Sequence, residues 1–119
     1  MIVAIPLDED RKTLCPSFGR CPFFLFAHSD TGEERVVENP AAQAQGGAGL
    51  KAAQCVVDGE AEALITVRCG ENAAQVLQAA GITVYQAEGT GAAENLAALR
   101  EGRLAVMTHF HPGFVGGQP

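Results

Sequence analysis

Short apolar runs, set apart by segments rich in glycine, proline and charged residues, divide the chain into elements. Runs of about four to eight apolar or β-branched residues are typical of strands. They predict five strands, at residues 2–5, 22–28, 34–39, 62–67 and 82–86. Apolar residues at helical spacing predict three helices, at residues 48–57, 71–80 and 91–100. The order βββαβαβα predicts an α/β fold, in which a mixed five-stranded sheet is flanked by helices.

The ends of the helices carry signals of their own. Gly81 follows the second helix and is predicted to form its C-terminal cap. Thr90 precedes the third helix and is predicted to cap its N-terminus. Lys51, Gln54 and Asp58 recur at helical spacing, so the first helix is expected to present one solvated stripe.

The directions of the strands determine which loops meet. Turn-forming residues at 29–32 predict that the second and third strands form an antiparallel hairpin. The first, third, fourth and fifth strands then run parallel, and the second runs against them. Ligands of open α/β sheets bind beyond the carboxyl ends of the strands. Four loops are therefore predicted to converge at one edge, at residues 6–20, 39–49, 68–72 and 87–91.

Length and charge narrow the functional classes. A chain of 119 residues forms one domain, predicted at residues 1–105 and followed by a flexible tail at 106–119. The net charge of −6 argues against general binding of nucleic acid or acidic membranes, because phosphate contacts need a basic face. A locally positive pocket is still open to a small anion. The basic residues near the predicted loops are Arg11, Lys12, Arg20, Lys51 and Arg68.

The N-terminus predicts the compartment. It has no basic segment before its apolar run, and no apolar stretch reaches the roughly 20 residues that a membrane span needs. A cytoplasmic protein is expected, and its four cysteines are then expected to stay reduced.

The cysteines are the clearest candidates for chemistry. Cys15 and Cys21 are separated by five residues, which is wider than the usual zinc-knuckle spacing. Either they ligate a metal, helped by Arg20 lowering a thiol pKa, or they are partly buried loop cysteines. Cys69 ends the fourth strand next to a helix start, where a lowered thiol pKa is expected. It is either a ligand or a simple strand-end residue. Cys55 lies within a helix and is predicted to pack in the core.

Other polar groups are less specific. The stretch GGAG at residues 46–49 is not a Walker motif, and is either an anion-binding turn or a flexible lead-in to the helix. His109 and His111 could bind copper or zinc, although a solvated tail is the simpler interpretation. The acidic run at residues 8–10 is predicted to be a solvated loop, with a hard-cation site as the alternative.

Five segments in a fixed order resemble a known family. They are FGRCPFF, ENPAA, GGAG, CGENA and AAGITVYQAEGT, and together they span most of residues 1–104. The set resembles the dinitrogenase iron–molybdenum cofactor biosynthesis family, which includes NifX, NafY and the C-terminal part of NifB. The resemblance implies a ribonuclease H-like fold and a carrier of iron–sulfur or molybdenum-containing clusters that is not an enzyme. It also implies, from a relative in sulfate-reducing bacteria, that a molybdenum–copper sulfide cluster is a candidate cargo.

The fold implied by the resemblance raises a rival function, a metal-dependent nuclease. Such enzymes gather several carboxylates on the sheet to hold two divalent ions. The cores of the first, second and fourth strands contain no carboxylate, so a nuclease is not expected.

The resemblance and the predicted convergence of loops together define a candidate site. An anionic metal–sulfur cluster is expected between the Cys15–Cys21 loop, the Gly46–Gly49 segment and the Cys69–Asn72 turn. The residues expected to bind it are Ser17, Phe18, Arg20, Asn39, Gly46, Gly47, Gly49, Gly70 and Asn72, with Cys15, Cys21 and Cys69 as metal ligands. The expected partners are the cluster and a donor or acceptor protein of a cluster-assembly pathway.

Two other functions remain open at this point. The first is a regulatory protein-interaction module without a cluster. The second is a dithiol redox protein that pairs Cys15 with Cys21, although redox motifs usually separate the cysteines by two residues.

Overall fold

The computed structural model describes residues 1–110 as a mixed five-stranded sheet with helices on both faces. The predicted order βββαβαβα is confirmed. The elements are β1 (Ile2–Leu7), β2 (Phe23–His28), β3 (Glu34–Glu38), α1 (Ala48–Asp58), β4 (Ala63–Thr66), α2 (Glu71–Ala79), β5 (Thr83–Gln86) and α3 (Ala92–Arg100). The α/β class is therefore confirmed, and the ribonuclease H-like label stays a prediction.

The strands lie in the order β3-β2-β1-β4-β5. β2 is antiparallel to both β1 and β3, whereas β4 is parallel to β1 and to β5. The predicted directions are thus confirmed, and the carboxyl ends of β1, β3, β4 and β5 lie at one edge. The central position of β1 explains its composition, since a strand covered on both faces is apolar throughout.

The two faces of the sheet carry separate cores. On one face, Ala4, Phe24 and Leu64 pack with the buried alanines and aliphatic residues of α1 and α2. On the other face, Val3 and Ile5 pack with residues of α3. Because successive side chains of a strand point to opposite faces, one continuous apolar strand serves both cores.

The helix ends test two of the predicted caps. Gly81 has a φ of +81° and donates to the Gln78 carbonyl, so the predicted C-terminal cap of α2 is confirmed. The prediction for Thr90 was wrong, because the N-cap of α3 is Gly91 and has no side-chain hydrogen bond. The buried Asn95 orders this loop instead, through hydrogen bonds to the backbone of Glu88 and Gly91.

The edges of the sheet differ. Residues after α3 run antiparallel to β5, where Val106 bridges Tyr85 and the Met107 N–H donates to the Val84 carbonyl. Within residues 1–110, the outer edge of β3 has no such partner. The predicted boundary between domain and tail stays a prediction, and His111 lies outside the described residues. In that described range, no helix is long and apolar enough to cross a membrane.

Candidate functional site

A cleft of about 640 Å³ opens at the carboxyl edge of the sheet, where three of the four predicted loops meet. Its size falls in the range of small-ligand pockets, roughly 300–1,000 Å³. The lining residues are Pro16, Ser17, Phe18, Gly19, Gly47, Ala48, Gly49, Leu50, Arg68, Cys69, Gly70, Asn72 and Ala73.

The fourth predicted loop, at residues 87–91, does not line this cleft. It contacts the first loop elsewhere, where Gly91 bridges Thr13 and the Leu14 N–H donates to the Thr90 carbonyl. The loop therefore braces the segment that leads to Cys15. The predicted convergence is confirmed for the three loops that line the cleft. The fourth loop contacts the first loop outside the cleft.

Both α1 and α2 begin in the cleft, so their positive ends meet there. The first helical hydrogen bonds run from Lys51 to the Gly47 carbonyl and from Ala74 to the Gly70 carbonyl. The N–H groups ahead of these bonds precede the helical hydrogen-bond ladder and point out of the helix start. The two N-caps, Gly47 and Gly70, provide no side-chain hydrogen bond to them. Such N–H groups are a common binding site for anions.

The wall of the cleft depends on a close backbone contact at Gly19. A Cβ atom added at Gly19 would lie 3.1 Å from the Gly49 nitrogen and 3.3 Å from the Ala48 carbonyl carbon. These contacts are with backbone atoms, which cannot turn aside as a flexible side chain can. Glycine at this position therefore lets the first loop close directly onto the first turn of α1.

The side chains that line the cleft carry a charge opposite to that of the chain, and Glu71, in the first turn of α2, is outside this lining. Its lining includes one cationic side chain, Arg68, and neither aspartate nor glutamate, although the net charge of the protein is −6. Ser17 and Asn72 add a hydroxyl and an amide. The exposed Leu50 gives the rim an apolar side. The arrangement favours a compact anion over a cation.

Burial raises the pKa values of the thiols in and behind the cleft. Cys69, the cysteine that lines the cleft, is 2 % exposed, and burial raises its pKa to about 11. Burial, with a smaller effect of a charge on Cys15, raises the pKa of Cys21 to about 12. The pKa of Cys15 is raised as well, mainly by burial. The expectation of lowered pKa values was wrong, because loss of water raises the pKa of all three thiols, and Arg20 points to the Ala44 carbonyl instead.

A pH dependence of stability follows from these raised pKa values. In the unfolded chain the thiols titrate near 9.0, so between pH 9 and 11 the unfolded state binds fewer protons than the folded state. We expect the free energy of unfolding to fall across this range, by about 1 kcal/mol per pH unit for each of the two thiols. Urea unfolding at several pH values measures it, and Cys21→Ala is expected to reduce the slope. A slope unchanged by this substitution would contradict the assignment.

The structure brings seven of the predicted site residues together in the cleft. These are Ser17, Phe18, Gly47, Gly49, Cys69, Gly70 and Asn72. Arg20 lies outside the lining, and its Nη1 donates to the Ala44 carbonyl at 2.6 Å. Gly46 is exposed beside the cleft, and a Cβ atom there would meet nothing within 4 Å.

Asn39 and two of the predicted metal ligands lie behind the wall. The buried Asn39 donates to the carbonyls of Gly19 and Cys21, so it holds the loop and does not line the cleft. Cys15 and Cys21 do not line the cleft either. Among residues 1–110 there is no cluster of three or more His, Cys, Asp or Glu side chains placed to hold a metal. The ligand roles of the three cysteines stay predictions.

Six lining residues were missing from the predicted site: Pro16, Gly19, Ala48, Leu50, Arg68 and Ala73. Each of them is adjacent in sequence to a residue that was included, so adjacency was a usable signal. Leu50 falls on the exposed side of α1 next to Lys51, and its apolar character at a solvent position was the available clue. Arg68 was named only as a source of positive charge, and the structure places it in the lining.

Comparison with known proteins identifies the family of this chain. Residues 1–102 match the family model described as dinitrogenase iron-molybdenum cofactor. An uncharacterized protein of Methanocaldococcus jannaschii is 33% identical over 107 residues, which cover 87% of this chain and 89% of that protein.

Two solved structures have the same fold. The apo form of the orange protein from Desulfovibrio gigas is 31% identical, with a TM-score of 0.80, over 89% of this chain and 92% of that one. A Thermotoga protein provisionally named a NifB protein is 36% identical, with a TM-score of 0.77, over 95% and 98% of the two chains.

Proposed function

Since the chain belongs to the dinitrogenase iron–molybdenum cofactor family, we propose that it is a non-catalytic cytoplasmic carrier for an anionic metal–sulfur cluster. The cargo is an iron–sulfur, molybdenum–iron–sulfur or molybdenum–copper–sulfur cluster, or a precursor of one. The observation that carries the proposal is the meeting of two helix N-termini in a cleft lined by Arg68 and by no carboxylate. A donor or acceptor protein of a cluster-assembly pathway exchanges the cargo.

Backbone groups make most of the proposed contacts with the cargo. The N–H groups at the starts of α1 and α2 can donate to terminal sulfide or oxide atoms, and the helix dipoles stabilise the negative charge. Arg68 adds a full positive charge at the rim. The shape of the cleft depends on Gly19, because a larger residue there would push the loop off α1.

Cys69 is the lining residue suited to bind a metal directly. Thiolates are soft ligands and match iron, copper and molybdenum–sulfide chemistry. The raised pKa of Cys69 keeps its thiol protonated at neutral pH, and a metal that binds sulfur displaces this proton. Direct ligation therefore releases one proton for each cluster bound, whereas binding through N–H groups alone releases none.

The decisive experiment is metal uptake by the full chain. Protein purified without oxygen is analysed for iron, molybdenum and copper, then reconstituted with iron and sulfide, or with thiomolybdate and copper. We expect one bound cluster per chain and visible absorption that persists through gel filtration. Cys69→Ala tests direct ligation, and its control is Cys55→Ala, which removes a half-buried thiol that does not line the cleft. A colourless product without stoichiometric metal under every condition would refute the carrier role.

A charge reversal at the rim tests the electrostatic part. We expect Arg68→Glu to weaken cluster retention about tenfold, which corresponds to about 1.4 kcal/mol of binding free energy. The matched control is Arg100→Glu, because Arg100 is an exposed arginine at the end of α3, on the opposite face of the sheet. The cluster retained after dialysis at low salt measures the effect. Equal losses in both variants would show that only the net charge matters.

A further inference from the structure

The outer edge of β3 is open within the part of the chain that the structure describes. At the ends of this strand, the Asn39 N–H donates to Pro22 and the His28 N–H donates to the Glu33 carbonyl. Because hydrogen-bonded residues alternate in an antiparallel pair, odd-numbered residues of β3 face β2. The backbone N–H and C=O groups of Glu34, Val36 and Glu38 therefore point away from the sheet.

Grooves flank this edge on both faces of the sheet. On the α1 face, a groove of about 470 Å³ is lined by Arg35, Val37 and residues of α1. On the α3 face, a groove of about 320 Å³ is lined by Glu34, Val36, the basic loop residues Arg11 and Lys12, and residues of α3. Successive side chains of an added strand alternate between the two faces, so both grooves can receive them.

The charges on the edge disfavour full antiparallel pairing with a second copy of this chain. Two copies of β3 pair antiparallel about an axis perpendicular to the sheet, and full overlap centres this axis on Val36. Glu34 of each copy would then lie opposite Glu38 of the other. Like charges directly opposite each other destabilise a strand pair. The same two glutamates attract basic residues at these positions.

We propose that the outer edge of β3 binds an extended segment of a partner protein, which carries basic residues opposite Glu34 and Glu38 and a β-branched residue opposite Val36. The exposed backbone groups of β3 form hydrogen bonds with the partner strand, and the two glutamates favour a partner with basic side chains. Val36, 40 % exposed, receives the apolar side chain. The proposal is independent of the carrier role, since no residue of β3 lines the cleft.

Basic side chains already lie near this edge. The guanidinium of Arg11 lies 4.4 Å from the ring centroid of Phe23, the residue that pairs with Glu38. Arg11 and Lys12 also line the groove on the α3 face, which Glu34 shares. A basic residue of the partner therefore competes with these side chains for the two glutamates.

Peptide titration followed by amide NMR tests the pairing on the full chain. The probe is a capped peptide that contains Lys-Thr-Val-Thr-Lys, and its counterpart contains Glu-Thr-Val-Thr-Glu. We expect the basic peptide to bind at least tenfold more tightly. It should shift the amide signals of Glu34, Val36 and Glu38 more than those of Arg35 and Val37, which face β2. N-methylation of alternate peptide amides should abolish these shifts.

Charge reversal of the edge provides the matched test. The exposed pair Glu34→Lys, Glu38→Lys is expected to reverse the preference and bind the acidic peptide. The control pair Glu9→Lys, Glu60→Lys makes the same change in net charge at exposed sites outside β3 and is expected to keep the wild-type preference. Failure of both peptides to bind, equal binding of both, or a wild-type dimer joined through β3 would overturn the proposal.

Discussion

Gly59→Ala is expected to lower the free energy of unfolding by about 3 kcal/mol, because the methyl group would collide with a buried ring. Gly59 is the C-cap of α1, and a Cβ atom there would overlap Cε1 of Phe26 and lie 2.5 Å from its Cζ. Phe26 is 1 % exposed and packs between Phe24 and the Arg35 guanidinium. The ring cannot turn away without disturbing the core beneath α1.

Chemical denaturation of wild type and variant measures the loss. Gly46→Ala is the matched control, because its Cβ would meet nothing within 4 Å, and it is expected to change stability little. Phe26→Leu in the Gly59→Ala background should recover part of the lost stability, since the shorter side chain leaves room for the methyl group. A double-mutant cycle gives the coupling of the two sites. Additive effects of the two substitutions would show that the ring contact is not the cause.

Asn39→Ala is expected to have the largest effect on cluster binding among residues outside the cleft. The Asn39 amide donates to the Gly19 carbonyl at 3.1 Å and to the Cys21 carbonyl at 2.9 Å, and its oxygen accepts from Ala41. Removing these contacts leaves buried polar groups without partners. We expect this loss to lower the free energy of unfolding by about 1–3 kcal/mol. It also frees the loop that forms one wall of the cleft, so reconstituted cluster is expected to dissociate at least tenfold faster.

Asn95→Ala separates the effect on the wall from the effect on stability. Asn95 is fully buried and makes three hydrogen bonds of 2.8 Å, which is a comparable loss at a position that does not line the cleft. The release rate of cluster at a temperature below both unfolding transitions is the measurement. We expect Asn95→Ala to lose stability and retain cargo. Equal rates of release from the two variants would show that Asn39 acts through global stability alone.

Local patterns were enough to predict the order and directions of the elements. The apolar run of β1 and the turn residues between β2 and β3 encode strand and hairpin through short-range sterics and side-chain alternation. Boundaries were less well predicted. β1 extends two residues beyond the predicted run, to Leu7, because pairing with β2 continues past the apolar stretch.

The state of the thiols could not be predicted from neighbours in the sequence. The glycine turn beside Cys69 and the arginine beside Cys21 suggested lowered pKa values. Both thiols are instead covered by residues distant in sequence, and burial raises their pKa values. Arg20 shows the same dependence, since its guanidinium binds the Ala44 carbonyl, 24 residues away, and not a neighbouring thiol.

The order of elements, the hairpin and the Gly81 cap are properties of short segments, so the amino-acid sequence alone specifies them. The cleft is a property of three segments, around residues 17, 48 and 70, that meet only when the sheet is complete. Tertiary packing decided which residues line it and which thiols lose water, because solvent exclusion depends on every group that surrounds an atom. The open edge of β3 is likewise visible only in the finished sheet, where its outward backbone groups meet no strand within residues 1–110.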